Sequence, residues 1–243
     1  MKMDEFRFKQ FVVSQCRAAM KVGTDGVLIG AWAGSSGVPQ RQPLRVLDIG
    51  TGTGLIALMV AQRMPQAEIV GVDIDEMAVD EARENVASSP WKERISIRRQ
   101  ALQEVGDEVF DVIVSNPPFF INSMKSPDSQ RSVARHTDSL SMEDLIRYSC
   151  RLLSDEDGAH ASFILPLEAT TEAQRFASIY GLFLQRRVGV HTLPSKNVKR
   201  VLLEFGKIPS NNIMECEEIM YLNAGQKSEW YHRLTEDFYL DAY

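Results

Sequence analysis

Two segments of the sequence combine residue types that can do chemistry, and the first of them is rich in glycine. It reads DIGTGTG over residues 48–54, between an apolar run and a helical pattern. Glycine has no Cβ, so the chain can turn tightly there and approach a ligand closely. A dinucleotide site uses the spacing GxGxxG, with a helix N-terminus facing a pyrophosphate. Here the spacing is GxGxG and an acid precedes it, which disfavours a pyrophosphate.

An acidic residue, Asp73, follows the glycine segment at the end of the next apolar run. In open α/β sheets, ligands bind beyond the carboxyl ends of the strands, where an acid can accept hydrogen bonds from ribose hydroxyls. The DxGxGxG pattern is typical of class I methyltransferases, whose cofactor has a sulfonium cation and no phosphate. We therefore predict S-adenosyl-L-methionine as the cofactor. The predicted cofactor-binding residues in this region are Asp48, Gly50, Gly52, Gly54, Asp73 and Ile74.

The second segment is Asn-Pro-Pro-Phe at residues 116–119. A conjugated exocyclic amino group is a poor nucleophile because its lone pair is delocalised. The side-chain oxygen of Asn116 and the carbonyl of Pro117 can accept its two N–H groups and aim the lone pair at a methyl group, while Phe119 stacks on the planar substrate. A base in stacked RNA is first flipped out. The motif alone leaves adenine N6, guanine N2 and glutamine N5 open as acceptors.

These segments require a scaffold of alternating strands and helices. Apolar runs predict strands at 45–49, 68–73, 94–98, 110–115, 159–165, 183–190 and 201–205, and helical periodicity predicts helices at 55–63, 76–87, 141–153 and 169–178. We therefore predict an α/β, Rossmann-like class I methyltransferase fold with a seven-stranded, mostly parallel sheet and helices on both faces. A single domain is expected over 1–243, with an N-terminal segment at 1–44 and a catalytic core at 45–243.

The charge distribution bears on the partner. The net charge is −6, yet basic side chains are concentrated in residues 1–21 and 186–207. Such a chain can hold a phosphate backbone if both segments fold onto one face. The sequence has no apolar run of the roughly 20 residues that span a bilayer and no signal-peptide pattern, which predicts a cytoplasmic protein. Its three cysteines and four histidines lack metal-ligand spacing, so no metal is expected.

Several segments of the sequence together resemble those of one known family. These are FKQF at 8–11, MKVGTDGVLIGAW at 20–32, the glycine segment, NPPF at 116–119, ARH at 134–136 and TEDFYL at 235–240. Together they resemble the bacterial tRNA1(Val) adenine-N6-methyltransferase family over nearly the whole chain. The resemblance implies methylation of the adenine immediately 3′ of the anticodon, at position 37 of the tRNA, with Asn116, Pro117 and Phe119 in the catalytic pocket.

The remaining predicted site residues surround this pocket. Residues 21–26 can fold over the cofactor as a lid, which makes Lys21 and Thr24 cofactor-binding candidates. The candidates for contact with RNA phosphates are Arg131, Arg135, His136, Lys196, Lys199 and Arg200. Two alternatives stay open: a methyltransferase acting on rRNA guanine N2 or on release-factor glutamine N5, and a catalytically silent RNA-binding protein. We expect a monomer.

Overall fold

The computed structural model describes residues 5–18, 21–118 and 140–240. The strands are β1 (Glu5–Arg7), β2 (Val12–Ser14), β3 (Leu44–Ile49), β4 (Ala67–Asp73), β5 (Ile95–Arg99), β6 (Val112–Ser115), β7 (His160–Pro166), β8 (Phe183–His191), β9 (Arg200–Gly206), β10 (Met214–Ile219), β11 (Tyr221–Asn223) and β12 (Gln226–Lys227). The α-helices are α1 (Thr24–Trp32), α2 (Leu55–Arg63), α3 (Glu76–Ala87), α4 (Met142–Leu152), α5 (Thr170–Tyr180) and α6 (Glu229–Thr235).

The central sheet has the strand order β10-β8-β9-β7-β6-β3-β4-β5. All neighbours pair in parallel except those of β9, which runs antiparallel to both β7 and β8. Parallel strands are buried on both faces and therefore read as continuous apolar runs. This is why β3, β4, β6 and β7 lie within two residues of their predicted positions. The α/β, Rossmann-like class I fold with a mostly parallel sheet is confirmed.

The predicted number of seven strands is wrong, because β10 adds an eighth strand to the sheet. This strand pairs in parallel with β8, from Met214 opposite Arg186 to Ile219 opposite His191. Its sequence, MECEEI, is mostly exposed, contains three glutamates and lacks the continuous apolar run by which the other strands of the sheet were predicted. An edge strand has one neighbour and can carry charged side chains, which protect the sheet from pairing with other chains. The acidic composition of this segment is the reason that the strand was not predicted.

Helices cover both faces of the sheet, and alternate strand residues enter separate cores. Val46 and Val112 belong to the cluster that packs α1, α2, α3 and α6, whereas Leu47 and Ile113 belong to the cluster that packs α4 and α5. This alternation follows from the two-residue period of a strand. The sheet therefore sits in the middle of three layers, and the carboxyl ends of its parallel strands form one edge.

The hairpin of β1 and β2 lies outside this sheet and packs against the end of the chain. Phe8 forms an antiparallel bridge with Tyr239, and the backbone N–H of Lys9 donates to the carbonyl of Phe238 at 2.7 Å. The ring of Phe8 also stacks on Phe11, with 4.6 Å between their centroids. An aromatic cluster thus fixes the segment that leads into α1.

Candidate active site

The edge formed by the ends of β3 and β6 carries a crevice with a volume of about 380 Å³. The N-terminal part of α1, the glycine loop after β3, the Asn-Pro turn after β6 and the start of β9 surround it. The lining residues are Lys21, Val22, Gly23, Thr24, Asp25, Gly26, Gly50, Thr51, Gly52, Thr53, Leu55, Ile56, Asn116, Pro117 and Arg200. The glycine loop and the Asn-Pro turn therefore open into one shared space.

The glycine loop adopts a conformation that L side chains rarely reach. Gly50, Gly52 and Gly54 have φ values of 69°, 54° and 82°. Open space surrounds the position where a Cβ on Gly50 would stand, whereas one on Gly54 would lie 3.4 Å from Ala82. Gly54 caps α2 behind the crevice, while Gly50 and Gly52 leave room for a ligand at its wall. The loop therefore fits a ligand that approaches the backbone, as the predicted cofactor would.

Asp48 lies beneath the loop, fully buried, and is not among the lining residues. Its Oδ2 accepts hydrogen bonds from Thr51 Oγ1 at 2.6 Å and from the N–H of Ala57 at 3.2 Å. Burial away from water raises the pKa of Asp48 to about 7, and the negative charge of Asp73 adds to the effect. Asp48 therefore stabilises the glycine loop from its buried side, whereas the sequence predicts direct contact with the cofactor.

Asp73 ends β4 next to the glycine loop and is half-buried. Its Oδ2 accepts the N–H of Gly52 at 2.9 Å, and its Oδ1 accepts the N–H of Asp75 at 3.0 Å. A carboxylate oxygen has two lone pairs, so each can still accept a ligand hydroxyl. Ile74, the next residue, is 50% exposed, and neither Asp73 nor Ile74 is among the residues that line the crevice. Asp75, not Asp73, caps α3 by accepting the N–H of Met77.

Asn116 follows β6, which pairs directly with β3. It is half-buried, the next residue, Pro117, is buried, and both line the crevice. The buried Ser115 donates from Oγ to the carbonyl of Ile49 at 2.8 Å, which joins the two strand ends just before their loops diverge. Phe119 lies outside the described residues.

The predicted RNA-binding residues do not all lie at the same place in the structure. Arg200 stands in the crevice wall, where its Nε donates to Asp25 Oδ2 at 2.5 Å. Lys196 and Lys199 are exposed on the segment between β8 and β9, outside the crevice but at the same edge of the sheet. The candidates Arg131, Arg135 and His136 lie outside the described residues. Lys21 and Thr24 line the crevice, as expected for the segment before α1.

Two polar residues of α3, Glu81 and Asn85, were not among the predicted site residues. They bind the backbone of the N-terminal segment and of the glycine loop, and both are buried. In the sequence they share a helical face with the apolar residues Ala78 and Ala82, at spacings of three and four. Polar residues within an apolar stripe signal buried polar contacts.

Within the described residues, no three His, Cys, Asp or Glu side chains lie close enough together to hold a metal ion. In the same part of the chain, no helix has both the length and the apolar character needed to cross a bilayer.

Comparison with known proteins gives sequence relatives over almost the full chain. Residues 35–140 match the methyltransferase small domain family. The tRNA1(Val) (adenine(37)-N6)-methyltransferase of Bacteroides thetaiotaomicron is 46% identical over 97% of this chain and 97% of its own. The protein of the same name from Phocaeicola vulgatus is 47% identical, also over 97% of each chain.

Solved structures share the fold at much lower sequence identity. A predicted O-methyltransferase from Agrobacterium tumefaciens has a TM-score of 0.60 and 19% identity, covering 88% of this chain and 96% of its own. The methyltransferase subunit of a type I restriction-modification system from Streptococcus thermophilus has a TM-score of 0.61 and 14% identity, covering 89% of this chain and 52% of its own. These likenesses concern the architecture of the sheet and its helices.

Proposed function

The chain belongs to the tRNA1(Val) (adenine(37)-N6)-methyltransferase family, and on this premise we propose that it methylates N6 of adenine 37 in tRNA1(Val). S-Adenosylmethionine is the methyl donor of such methyltransferases. The observation that carries the proposal is the shared crevice, because the glycine loop and the turn of Asn116 and Pro117 line the same space. Transfer requires the donor and the acceptor nitrogen to meet there.

Residues in the crevice and behind its wall have separate tasks in the proposed reaction. Gly50 and Gly52 admit the cofactor, whose reactive methyl group is made electrophilic by the sulfonium. Asp73 accepts the ribose hydroxyls, and Lys21 and Thr24 close the cofactor's side of the crevice. Asp48 acts by holding the loop in shape, through Thr51 and Ala57.

Asn116 and Pro117 orient the acceptor in this proposal. The Asn116 side-chain oxygen and the Pro117 carbonyl each accept one N–H of the adenine amino group, which turns the nitrogen lone pair towards the methyl carbon. No strong base is needed, because the amino proton becomes acidic once the nitrogen is methylated. We propose that Phe119 stacks on the flipped adenine.

The location of basic residues supports an RNA substrate. Lys21 and Arg200, from the two basic segments of the sequence, both line the same crevice. Lys196 and Lys199 are exposed beside it and can contact phosphates. The segment around β8 contributes less than its composition suggests, because the guanidinium of Arg186 turns inward and lies 3.8 Å from the centre of the Trp32 ring. A tRNA substrate also implies that the enzyme works in the cytoplasm.

The test is transfer of a labelled methyl group from S-adenosylmethionine to total RNA and, separately, to total protein. We expect label in RNA, in the tRNA fraction, and N6-methyladenosine as the only labelled nucleoside. A tRNA1(Val) transcript with guanine at position 37 is the matched control and should stay unlabelled. Label in N2-methylguanosine or in protein would replace the proposal with one of the rival methyltransferases. Absence of transfer to any acceptor would support the silent RNA-binding protein.

A further inference from the structure

We propose that Glu81 and Asn85 of α3 are positioning residues that set the affinity for the cofactor. They do so by holding the N-terminal strap, defined as residues 14–18 and 21–25, against the glycine loop. The inference rests on the proposed function, since it assumes that S-adenosylmethionine occupies the crevice. It assigns a task to two side chains that lie behind the crevice and do not line it.

Glu81 binds three successive backbone N–H groups of the strap. Its Oε1 accepts those of Cys16 at 2.6 Å and Arg17 at 3.1 Å, and its Oε2 accepts that of Ala18 at 2.8 Å. Both oxygens act as acceptors, which is the pattern of an ionised carboxylate. The side chain is fully buried, and charge-assisted bonds in such surroundings are strong. Successive N–H groups can converge on one carboxylate only when the backbone curls around it, so Glu81 determines the path of the strap.

Asn85 lies one helical turn further along α3 and joins the strap to the glycine loop. Its Oδ1 accepts the N–H of Ser14 at 2.8 Å, and its Nδ2 donates to the carbonyls of Ser14 and Thr53, both at 2.9 Å. Thr53 belongs to the glycine loop and lines the crevice. One amide group thus fixes the distance between the strap and that loop.

A third side chain, Gln15, connects the part of the strap that is bound by α3 with the wall of the crevice. The Oε1 of Gln15 accepts the N–H of Val22 at 2.7 Å, and Val22 lines the crevice together with Lys21. Gln15 is 9% exposed, so this bond is shielded from water. Side-chain bonds therefore link α3 to the residues that would face the cofactor.

The consequence for binding follows from population arithmetic. A ligand that binds only the ordered strap has its apparent Kd multiplied by the inverse of the fraction of molecules in which the strap is ordered. Loss of a buried acceptor for three N–H groups lowers that fraction. A saturating cofactor restores the ordered strap, because its own binding energy stabilises that state. The hydrogen bonds from Glu81 and Asn85 to the strap should therefore affect the Kd and KM for the cofactor much more than kcat.

Glu81→Gln tests this inference in the full-length protein. Glutamine keeps the shape of the side chain but turns one acceptor oxygen into a donor that faces backbone N–H groups. We expect the Kd for S-adenosylmethionine, measured by calorimetry without tRNA, to rise about tenfold, which corresponds to about 1.4 kcal/mol. The KM should rise in parallel, and kcat at saturating cofactor should stay close to wild type. If Glu81 contributed only to stability, its replacement would lower the melting temperature without raising KM at an unchanged kcat.

Glu84→Gln is the matched control. Glu84 lies on the same helix and pairs with Arg17 of the same strap, but this ion pair is exposed. Exposed pairs contribute little, so the cofactor Kd should stay unchanged. Gln15→Met is a second variant for the case that Glu81→Gln fails to fold, since it removes the bond to Val22 without touching α3. We expect it to weaken cofactor binding about threefold, as the loss of one hydrogen bond implies.

Two results would overturn the inference. One is a folded Glu81→Gln protein with the wild-type Kd for the cofactor; the other, where Glu81→Gln does not fold, is an unchanged Kd in Gln15→Met. Failure of the wild-type protein itself to bind S-adenosylmethionine would instead refute the proposed function. The two failures are therefore distinguishable in one set of titrations.

Discussion

The Oγ of Ser115 donates a 2.8 Å hydrogen bond to the carbonyl oxygen of Ile49. The two residues are register partners on β6 and β3, and each is the last residue of its strand. Asn116 follows one of them, and Gly50 follows the other. A single buried bond therefore fixes the points from which the acceptor-binding turn and the cofactor-binding loop diverge.

Ser115→Ala should weaken both the fold and the reaction. The carbonyl of Ile49 loses a buried donor, so we expect the free energy of unfolding to fall by about 1–2 kcal/mol. The reacting groups also lose alignment, for which we expect kcat to fall about tenfold. Urea unfolding and single-turnover methyl transfer measure the two effects.

Ser162→Ala is the control for this comparison. Ser162 is also fully buried in the central sheet, on β7, but its hydroxyl has no hydrogen-bond partner in the described structure. We expect its removal to leave both quantities near wild type. Equal behaviour of the two alanine variants would show that the Ser115 bond has no special role.

Asn116→Ala should separate catalysis from cofactor binding. The amide oxygen that binds the acceptor amino group is lost, while the glycine loop is untouched, so kcat should fall by about 10²–10³-fold. The Kd for S-adenosylmethionine should stay at the wild-type value. Labelled transfer to tRNA and calorimetric titration with the cofactor check these outcomes. Turnover at the wild-type rate would remove Asn116 from the proposed mechanism.

The sequence predicted most of this arrangement because buried parallel strands and glycine turns have strong local signatures. Helices α2 and α3 begin and end at the predicted residues. What it could not predict depends on distant parts of the chain. The exposed strand β10 resembles an acidic loop until β8 pairs with it. The position of Glu81 on the apolar face of α3 indicates a buried contact, but it does not identify the strap as the partner.

The position of Arg200 is a second example of a contact that sequence reasoning cannot supply. Its basic neighbours suggested phosphate binding, yet Arg200 is the first residue of the antiparallel strand β9 and therefore reaches the crevice edge. There it meets Asp25 of α1, which lies far away in the sequence.

Asp48→Asn should remove a pH dependence of stability. Burial raises the pKa of Asp48 from 3.8 to about 7 in the folded protein, so the folded state holds this proton more tightly than the unfolded state. The stability that Asp48 contributes is fully present below pH 3.8 and is lost as the pH rises through about 7. The loss amounts to at most about 4 kcal/mol, from about 1.36 kcal/mol per pKa unit.

Urea unfolding at pH 5 and pH 8 measures this effect in both proteins. We expect the stability of Asp48→Asn relative to wild type to increase between the two pH values. Asparagine can still accept the bonds from Thr51 and Ala57 through its carbonyl oxygen, so the loop should keep its shape. Parallel pH profiles would mean that Asp48 does not titrate in this range.

Replacing both Lys196 and Lys199 with glutamine should weaken tRNA binding in a salt-dependent way. The plot of log K against log salt has a negative slope, and each lost phosphate contact reduces its magnitude by about 0.7–0.9, so we expect the magnitude to decrease by about 1–2. Filter binding at several salt concentrations gives the slope. Arg200 stays unchanged in this variant, because its loss would also break the pair with Asp25.

Lys92→Gln serves as the control for the double variant. Lys92 is exposed between α3 and β5, at the opposite edge of the sheet from the crevice. It should leave the salt slope unchanged. A double variant with the wild-type slope would exclude the segment between β8 and β9 from the RNA interface.

The contact of the β1–β2 hairpin with residues 238–239 has a consequence for synthesis of the protein. The residues against which Phe8 and Lys9 pack follow the hairpin by more than two hundred positions in the chain, so they are synthesised long after it. The strap continues directly from this hairpin. The strap is therefore anchored to residues 238–239 only after all eight strands of the central sheet, of which β10 ends at Ile219, have been synthesised.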